Sequence, residues 1–253
     1  MRVAARRLRS DLRTFGPLLD ESWSEGLAGD LAWLGRLLGA VRDLDVLHAS
    51  LRAAAEDLGH DLEPFFDSLA AQRRTEHVVL LDAMGSPYYL EMLERLIEAA
   101  RDPAVTADAA GSCESVLPPL AQNAWRRAAR KGRNVGLGDA EEDLHRVRIL
   151  TKRARYAAEA VGPALGGKRA SAATAFASRA AKVQDALGDL QDSTVARESI
   201  ARIAMQHSAD GPLNFAAGRL LERQLQVADK AGNDFEKAWD KLDRKKLRGW
   251  MKD

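Results

Sequence analysis

The chain of 253 residues carries 38 Lys and Arg against 37 Asp and Glu, and 46% of its residues are hydrophobic, a composition typical of a globular protein with a real core. Its single cysteine, Cys113, excludes an internal disulfide and a zinc site built from cysteines. No apolar run approaches the roughly 20 residues of a membrane span, and arginines interrupt the first helix too often for a signal peptide. We therefore expect a cytoplasmic protein.

The first predicted helix has a dense cationic face. It contains no Gly or Pro before Gly16, and Ala, Leu and Arg are strong helix formers. Four arginines at spacings of four, three and four lie within roughly 60° of one another, while Ala5, Leu8 and Leu12 begin a separate apolar stripe. Like charges at these spacings repel by about 0.2 to 0.5 kcal/mol per pair, so we expect a polyanion to offset the cost. The four arginines are Arg2, Arg6, Arg9 and Arg13.

The rest of the chain is also predicted to be helical, because period-2 alternation is absent and apolar residues recur about every 3.6 residues. Gly16-Pro17 ends the first helix, and a second, capped by Ser24 or Asp30, runs to about Ala55. Further helices are predicted at about 63–83, 87–101, 115–131, 139–162 and 169–205. Two shorter helices then follow Gly211-Pro212, and the basic tail 241–252 is expected to fray.

Blocks of the sequence recur in the same order, which indicates duplication of a helical unit. The matching pairs are 2–9 with 148–155, Gly16-Pro17 with Gly162-Pro163, and 38–43 with 187–192. The first two pairs share a constant offset of 146 residues, and the third has three residues more. Two packed copies would bring two basic helices into one assembly. The alternative is chance similarity among helices rich in Ala, Leu and Arg.

These blocks carry a resemblance to a known family. Residues 1–9, 38–46, 144–156 and 187–192 resemble the conserved histidine α-helical domain (CHAD) family, and the resemblance covers nearly the whole chain. It implies an all-α fold of two four-helix bundles related by a pseudo-twofold axis. It also implies a basic surface that binds inorganic polyphosphate, with no catalysis by this domain alone.

On this plan the chain is a single domain made of two repeats. The repeats span about 1–103 and 115–229, the segment 104–114 is the linker, and 230–253 form a C-terminal helix and a basic tail. The family has a histidine shortly before the first Met-Arg-Val motif. The second copy keeps its counterpart, His145, whereas the equivalent position in the first copy precedes Met1. Either the start is misassigned or the first site lacks its histidine.

A second departure from the family pattern lies at Ser86-Pro87-Tyr88, where we would expect an arginine in this turn. One phosphate contact fewer is therefore expected there.

Polyphosphate carries roughly one charge per phosphate and no bases, so a binder needs an ordered array of cations, for which the forked guanidinium is well suited. Neighbours at i, i+4 and i+7 repeat about every 5 to 6 Å along a helix face. Four residues share such a face: His145, Arg148, Lys152 and Arg155. When protonated, His145 would donate a hydrogen bond to phosphate. The alternative is that it is an ordinary surface or core histidine. The predicted polyphosphate-binding residues are Arg2, Arg6, Arg9, Arg13, Arg42, Arg126, Arg130, His145, Arg148, Lys152, Arg155 and Lys182.

Some cations admit a second interpretation. Arg126, Arg130 and Arg133 repeat the same spacing, but they also lie near a helix end, where cations are favoured without any ligand. Arg7 and Arg153 point away from the main basic face. We expect carboxylates of neighbouring helices to pair with these two.

The acidic residues of the long helix in the second half are a candidate metal site. Lys182, Asp185, Asp189 and Asp192 share one face, and Asp43 matches Asp192 in the first copy. The favoured interpretation is that the aspartates orient basic groups of the facing helix through ion pairs. The alternative is that they hold Mg²⁺ against a phosphate.

The favoured function is non-catalytic binding of inorganic polyphosphate without a cofactor, with polyphosphate granules or a polyphosphate-metabolising enzyme as partners. One alternative is a metal-dependent enzyme that processes polyphosphate or triphosphate, or its accessory subunit. CHAD often accompanies a CYTH triphosphatase domain, but the Glu-x-Glu-x-Lys signature of that domain and a Walker loop are both absent from this sequence. The other alternative is binding to a nucleic-acid backbone. This alternative is disfavoured because no aromatic stacking platform lies beside the basic helices.

Overall fold

The structure is a computed structural model that describes residues 1–58 and 61–252, and the regular elements within these ranges are all helical, which confirms the all-α prediction. The α-helices are α1 Arg2–Thr14, α2 Glu21–Ala54, α3 Glu63–Met84, α4 Pro87–Arg101, α5 Cys113–Gly132, α6 Glu141–Leu165, α7 Gly167–Gln206 and α8 Gly211–Leu242. Short 3-10 helices lie at Gly16–Leu18, Ala107–Ala110 and Lys245–Met251. Among the described residues, no helix has an apolar stretch long enough to cross a membrane.

The start of α2 differs from the prediction. The helix begins three residues before Ser24, so neither Ser24 nor Asp30 is its cap. Asp20 takes that role, because its carboxylate accepts the backbone N–H of Trp23 at 2.8 Å. This bond lowers the pKa of Asp20 below its ordinary value. Asp30 lies inside the helix, where its buried carboxylate accepts two hydrogen bonds from Arg95 at 2.9 and 3.1 Å.

The predicted end of α6 at Gly162-Pro163 is wrong. The helix continues to Leu165, since a proline in the last turn removes few backbone bonds. The break comes at Gly166 and Gly167, whose φ angles of +65° and +47° favour glycine. Gly162 instead permits close packing, because a Cβ there would lie 2.8 Å from the Cβ of Ala173.

After Gly211 the chain forms one long helix, α8, where two shorter helices are predicted. Pro212 is tolerated because it lies in the first turn. Asp210 caps this turn by accepting the backbone N–H of Leu213 at 3.0 Å. Gly232 does not end the helix either. A Cβ at that position would lie 2.9 Å from a methyl carbon of Leu137, so the glycine leaves room for the leucine.

The basic tail does not fray in the structure. It forms the 3-10 helix Lys245–Met251, in which Trp250 and Met251 are buried. The Trp250 ring centroid lies 6.2 Å from that of Phe176, and the Arg169 guanidinium donates to the Lys252 carbonyl at 2.7 Å. The prediction from lysine content failed because two apolar side chains anchor the segment.

Contacts divide the chain into two compact units. The first unit contains Met1–Ala32, Leu93–Gly188 and the chain from Gly232 onward, and the second contains Trp33–Met92 and Asp189–Ala231. The arrangement of the two sequence repeats as four-helix bundles stays a prediction.

Each unit has its own core. In the first, Trp125 packs edge-on to Phe176 and nearly parallel to Trp239, with ring centroids 5.4 and 5.9 Å apart. In the second, Phe65 from α3 and Leu220 from α8 are fully buried in one apolar cluster. Each such large side chain contributes about 1.5 to 3 kcal/mol to folding, so the cores are sufficient to fix the helices that carry the charged faces.

Candidate anion-binding site

The two basic helices of the repeat pack side by side in the first unit, where α1 contacts α6. α1 buries Ala5 and Leu12, and α6 buries a stripe that includes Val147 and Ala154. The matching blocks 2–9 and 148–155 are therefore on neighbouring helices. This confirms the prediction that the duplication brings two basic helices together.

Lys152 lies at the centre of the positive charge on these helices. Burial is the main cause that lowers the pKa of its ammonium group to about 8, and the charges of Arg148, Arg6, Arg155 and Arg2 lower it further. These four arginines, two from α1 and two from α6, are therefore near enough to Lys152 to act on its charge. We call Arg2, Arg6, Arg148, Lys152 and Arg155 the Lys152 cluster.

Several guanidinium groups of the Lys152 cluster have a donor that makes no hydrogen bond. In the described part of the chain, the Nε atoms of Arg6 and Arg148 are buried without an acceptor. The Nε of Arg155 lies 3.4 Å from the Glu159 carboxylate, yet it donates no hydrogen bond. A buried donor without an acceptor costs about 1 to 3 kcal/mol. An anion bound at this site would offset that cost.

Gly188 of α7 leaves room for one of these guanidinium groups. A Cβ at Gly188 would lie 3.7 Å from Nη2 and 3.8 Å from Nε of Arg148, so any larger side chain would meet the guanidinium. Among the described residues, a Cβ at the matching Gly39 would meet only Asp43 of the same helix within 4 Å. The Leu-Gly motif of the second copy therefore has a steric role beside the Lys152 cluster.

A second group of cations surrounds Arg153 in the same unit. Burial lowers the pKa of Arg153, and Arg13, Arg146, Arg9 and Arg127 lower it further. We call these five residues the Arg153 cluster. The prediction that Arg153 pairs with a carboxylate gains no support, because the charges found to act on it are those of arginines from α1, α5 and α6.

The sequence interpretation missed two members of the Arg153 cluster. Arg146 is seven residues before Arg153 and so lies on the same face of α6, and this spacing is visible in the sequence. Arg127 carries no such signal, because only the packing of α5 brings it near α6. The four predicted arginines of α1 are thus shared between the clusters: Arg2 and Arg6 act on Lys152, and Arg9 and Arg13 act on Arg153.

Arg7 has the carboxylate partner that the sequence predicts. It forms an ion pair with Glu159 of α6, and its guanidinium carbon lies 5.4 Å from the centroid of the Tyr156 ring. Arg155 approaches the same ring at 4.9 Å. Glu159 and Tyr156 therefore hold Arg7 next to Arg155, which is a member of the Lys152 cluster.

A half-buried acid, Asp11, lies on α1 beside these arginines. Burial raises the pKa of the Asp11 carboxyl to about 6, although the charge of Arg7 lowers it. Its Oδ1 atom is buried and accepts no hydrogen bond from the described residues. Near neutral pH, Asp11 is thus an anion held in an unfavourable environment.

The remaining predicted residues lie in other surroundings. His145 and Lys182 are exposed in the first unit, and Arg42 is exposed in the second, so their participation stays a prediction. Arg126 and Arg130 line a cleft of about 560 Å³ together with residues of the C-terminal 3-10 helix.

Within residues 1–58 and 61–252, no three His, Cys, Asp or Glu side chains form a group that could hold a metal ion. The alternative of a Mg²⁺ site on Asp185, Asp189 and Asp192 therefore gains no support. The interpretation that these aspartates orient basic groups through ion pairs stays a prediction.

The sequence matches a family model described as CHAD domain over residues 1–201. Two relatives in Mycobacterium tuberculosis are Uncharacterized protein MT2285 of strain CDC 1551 and Uncharacterized protein Rv2226 of strain H37Rv. Each is 31% identical over 262 residues, and the match covers 96% of this chain and 47% of the relative. The chain thus spans about half the length of the curated relatives it matches.

Two solved structures are similar over most of their length. PptA from Streptomyces chartreusis aligns with a TM-score of 0.79 and 25% identity, over 94% of this chain and 87% of that one. The CHAD domain from the plant Ricinus communis aligns with a TM-score of 0.65 and 27% identity, over 93% of this chain and 80% of that one. The Lys152 and Arg153 clusters both lie within the residues that the family model matches.

Proposed function

Because this chain belongs to the CHAD domain family, we propose that it binds inorganic polyphosphate through the Lys152 cluster and that it does so without catalysis. The observation that carries the proposal is the convergence of four arginines from two helices on a half-buried lysine. Such an array repels itself, and a flexible polyanion is the simplest ligand that would relieve the repulsion at every position.

The residue types in the Lys152 cluster fit a phosphate chain. A guanidinium offers a fixed fork of donors that matches phosphate oxygens, and hydrogen bonds between charged groups are about twice as strong as neutral ones. The unused Nε donors of Arg6 and Arg148 would gain acceptors on binding. The ammonium of Lys152 would gain a counter-ion that favours its protonated form.

The Arg153 cluster extends the proposed site along α1. The helix rises about 16 Å between Arg2 and Arg13, so one extended ligand could contact both clusters in turn. We therefore expect affinity to increase with chain length. It should also fall steeply as salt is added, since each phosphate contact releases counter-ions.

The test is calorimetric titration with long-chain polyphosphate. The variant Arg148→Ala/Lys152→Ala/Arg155→Ala should bind at least about 100-fold more weakly than the wild type, because each lost charged contact is worth about 1.5 to 3 kcal/mol. The matched control is Lys168→Ala/Arg179→Ala/Lys237→Ala, which removes the same number of charges from exposed positions. Equal affinity of the two triple variants would show that the site lies elsewhere.

Two further measurements separate the proposal from its alternatives. The purified chain with Mg²⁺ should release no phosphate from polyphosphate or triphosphate; release that is lost in an Asp185→Asn/Asp189→Asn/Asp192→Asn variant would favour the enzyme. Double-stranded DNA should compete poorly at equal phosphate concentration. Efficient competition by DNA would favour the nucleic-acid alternative.

A further inference from the structure

A separate concentration of positive charge lies on another face of α5. Arg126, Arg130 and Arg133 follow spacings of four and three, so they form one stripe, whereas Arg127 of the Arg153 cluster lies about 100° around the helix from Arg126. The stripe forms one wall of a cleft of about 560 Å³. The other wall is the C-terminal 3-10 helix and the residue that follows it.

The lining of this cleft is strongly cationic, and no Asp or Glu is among the described residues that form it. The cations are Arg126, Arg130, Arg133, Lys245, Arg248 and Lys252. Three come from each wall, so a ligand between the walls would be contacted from both sides. The volume lies within the range of about 300 to 1,000 Å³ that is usual for small-molecule sites.

One carboxylate at the edge of the cleft holds two of the guanidinium groups in place. Asp243 accepts two hydrogen bonds from Arg133, each 2.6 Å long, and one from Arg248 at 3.1 Å. Arg248 also lies 5.3 Å from the ring centroid of Trp125. Both groups are thus positioned in advance, which reduces the entropy that a ligand would have to overcome.

We propose that this cleft is a second anion-binding site and that it takes a triphosphate group, either free or attached to a nucleoside. Among the described residues, six cations line the cleft, and Asp243 is the carboxylate that hydrogen-bonds to two of them. A compact group with several charges suits such a cleft better than a long polymer does, because most of a long polymer would extend outside the cleft. The proposal does not depend on polyphosphate binding at the Lys152 cluster.

The cleft recognises phosphate and not a base. Trp125 is only 3% exposed, so its ring is not available as a stacking platform. Free tripolyphosphate and ATP are therefore expected to bind with affinities within about tenfold of each other. AMP, which lacks the chain of phosphates, should bind at least 100-fold more weakly.

The test is calorimetric titration of the full chain with tripolyphosphate, ATP and AMP. In the variant Lys245→Ala/Lys252→Ala, which changes two exposed side chains, tripolyphosphate should bind at least tenfold more weakly. The matched control Arg179→Ala/Lys237→Ala should change it less than twofold. Long-chain polyphosphate should bind the Lys245→Ala/Lys252→Ala variant within twofold of the wild type.

The two sites fail independently in this design. If the variant Arg148→Ala/Lys152→Ala/Arg155→Ala loses long-chain polyphosphate but keeps tripolyphosphate within threefold, the cleft is a distinct site. If tripolyphosphate binding is lost in that variant and kept in Lys245→Ala/Lys252→Ala, the cleft proposal is overturned. Absence of tripolyphosphate binding to the wild type, or AMP binding as tight as that of ATP, also overturns it.

A second variant, Arg130→Ala on the opposite wall, tests whether misfolding causes the loss of tripolyphosphate binding. It should weaken tripolyphosphate binding by the same order, with an unchanged near-ultraviolet circular dichroism spectrum. ATP binding more than tenfold tighter than tripolyphosphate would contradict recognition of the phosphates alone.

Discussion

In the second unit, Arg52, Arg73 and Arg223 each donate to a carboxylate of another segment, at 2.6, 2.8 and 2.6 Å. In the first unit, the charges of Arg2, Arg6, Arg148 and Arg155 act on Lys152, and those of Arg9, Arg13, Arg127 and Arg146 act on Arg153. The residue type is the same in both regions, but in the first unit the basic side chains also act on one another. The difference teaches that an arginine run indicates a binding face where the fold brings its cations together, and not where each arginine forms its own ion pair.

The largest expected effect is the reversal of one charge in the Lys152 cluster. Arg148→Glu should weaken the binding of long-chain polyphosphate by more than 100-fold, because it removes a contact and adds a repulsive charge. It should leave the melting temperature unchanged or raise it, since it relieves repulsion with Lys152. Titration calorimetry and thermal unfolding measure the two effects.

The second unit supplies the opposite control. Arg223→Glu breaks the hydrogen bonds to Asp57, so it should lower the melting temperature and change polyphosphate affinity less than twofold. If both substitutions lower stability equally, the contrast between the two regions is wrong.

A smaller effect is expected at the glycine beneath Arg148. Gly188→Ala should keep binding, because its Cβ would sit at an ordinary contact distance of 3.7 Å from the guanidinium. Gly188→Leu should displace the guanidinium and weaken polyphosphate binding by about tenfold, since one charged contact is worth about 1.5 to 3 kcal/mol and tenfold corresponds to about 1.4 kcal/mol. Filter binding of labelled polyphosphate compares the two variants. Equal affinities would show that the position of Arg148 does not matter.

The lowered pKa of Lys152 predicts a pH dependence of several-fold. Above pH 8 the ammonium group of the free protein loses its proton, so polyphosphate affinity should fall as the pH rises from 7 to 9. Binding at pH 8 should take up about half a proton, which calorimetry in buffers of different ionisation enthalpy detects. Lys152→Arg should abolish the proton uptake and keep affinity at pH 9. No dependence of the measured heat on the buffer would contradict the assignment.

The smallest effect concerns stability and not binding. Since the folded protein raises the pKa of Asp11 to about 6 from 3.8, stability falls as the pH rises between these two values, and the loss is complete above pH 6. Asp11→Asn removes that cost and should stabilise the protein by about 1 to 2 kcal/mol at pH 8. The gain should vanish below about pH 3, where the carboxyl is neutral in both the folded and the unfolded state. Urea unfolding at the two pH values tests this, and an equal gain at both would contradict it.

Much of the fold could be predicted because Gly-Pro pairs and helical periodicity are local signals. The bounds of α4 are those predicted, and α1 ends just before Gly16-Pro17. The errors have tertiary causes. Pro163 is tolerated in a last turn, and the tail is ordered because Trp250 finds a place beside Phe176. No local pattern records either fact.

The candidate site shows the same division. The internal repeat was enough to predict that α1 and α6 lie together, and helix spacing was enough to choose Arg148, Lys152 and Arg155. The sequence could not predict that Arg127 lies near Arg153, or that Arg126 lines a cleft with the C-terminal 3-10 helix. Both facts depend on how α5 packs. Sequence spacing identifies which residues share a face, and only packing decides what that face meets.

Arg126 and Arg127 are consecutive on α5, yet they belong to different surroundings, one lining the cleft and the other acting on Arg153. The insertion of one residue between Cys113 and Arg126 would turn the following side chains by about 100° and move each arginine out of its place. Natural variation in this helix should therefore consist of substitutions, with insertions and deletions confined to the loops at its two ends.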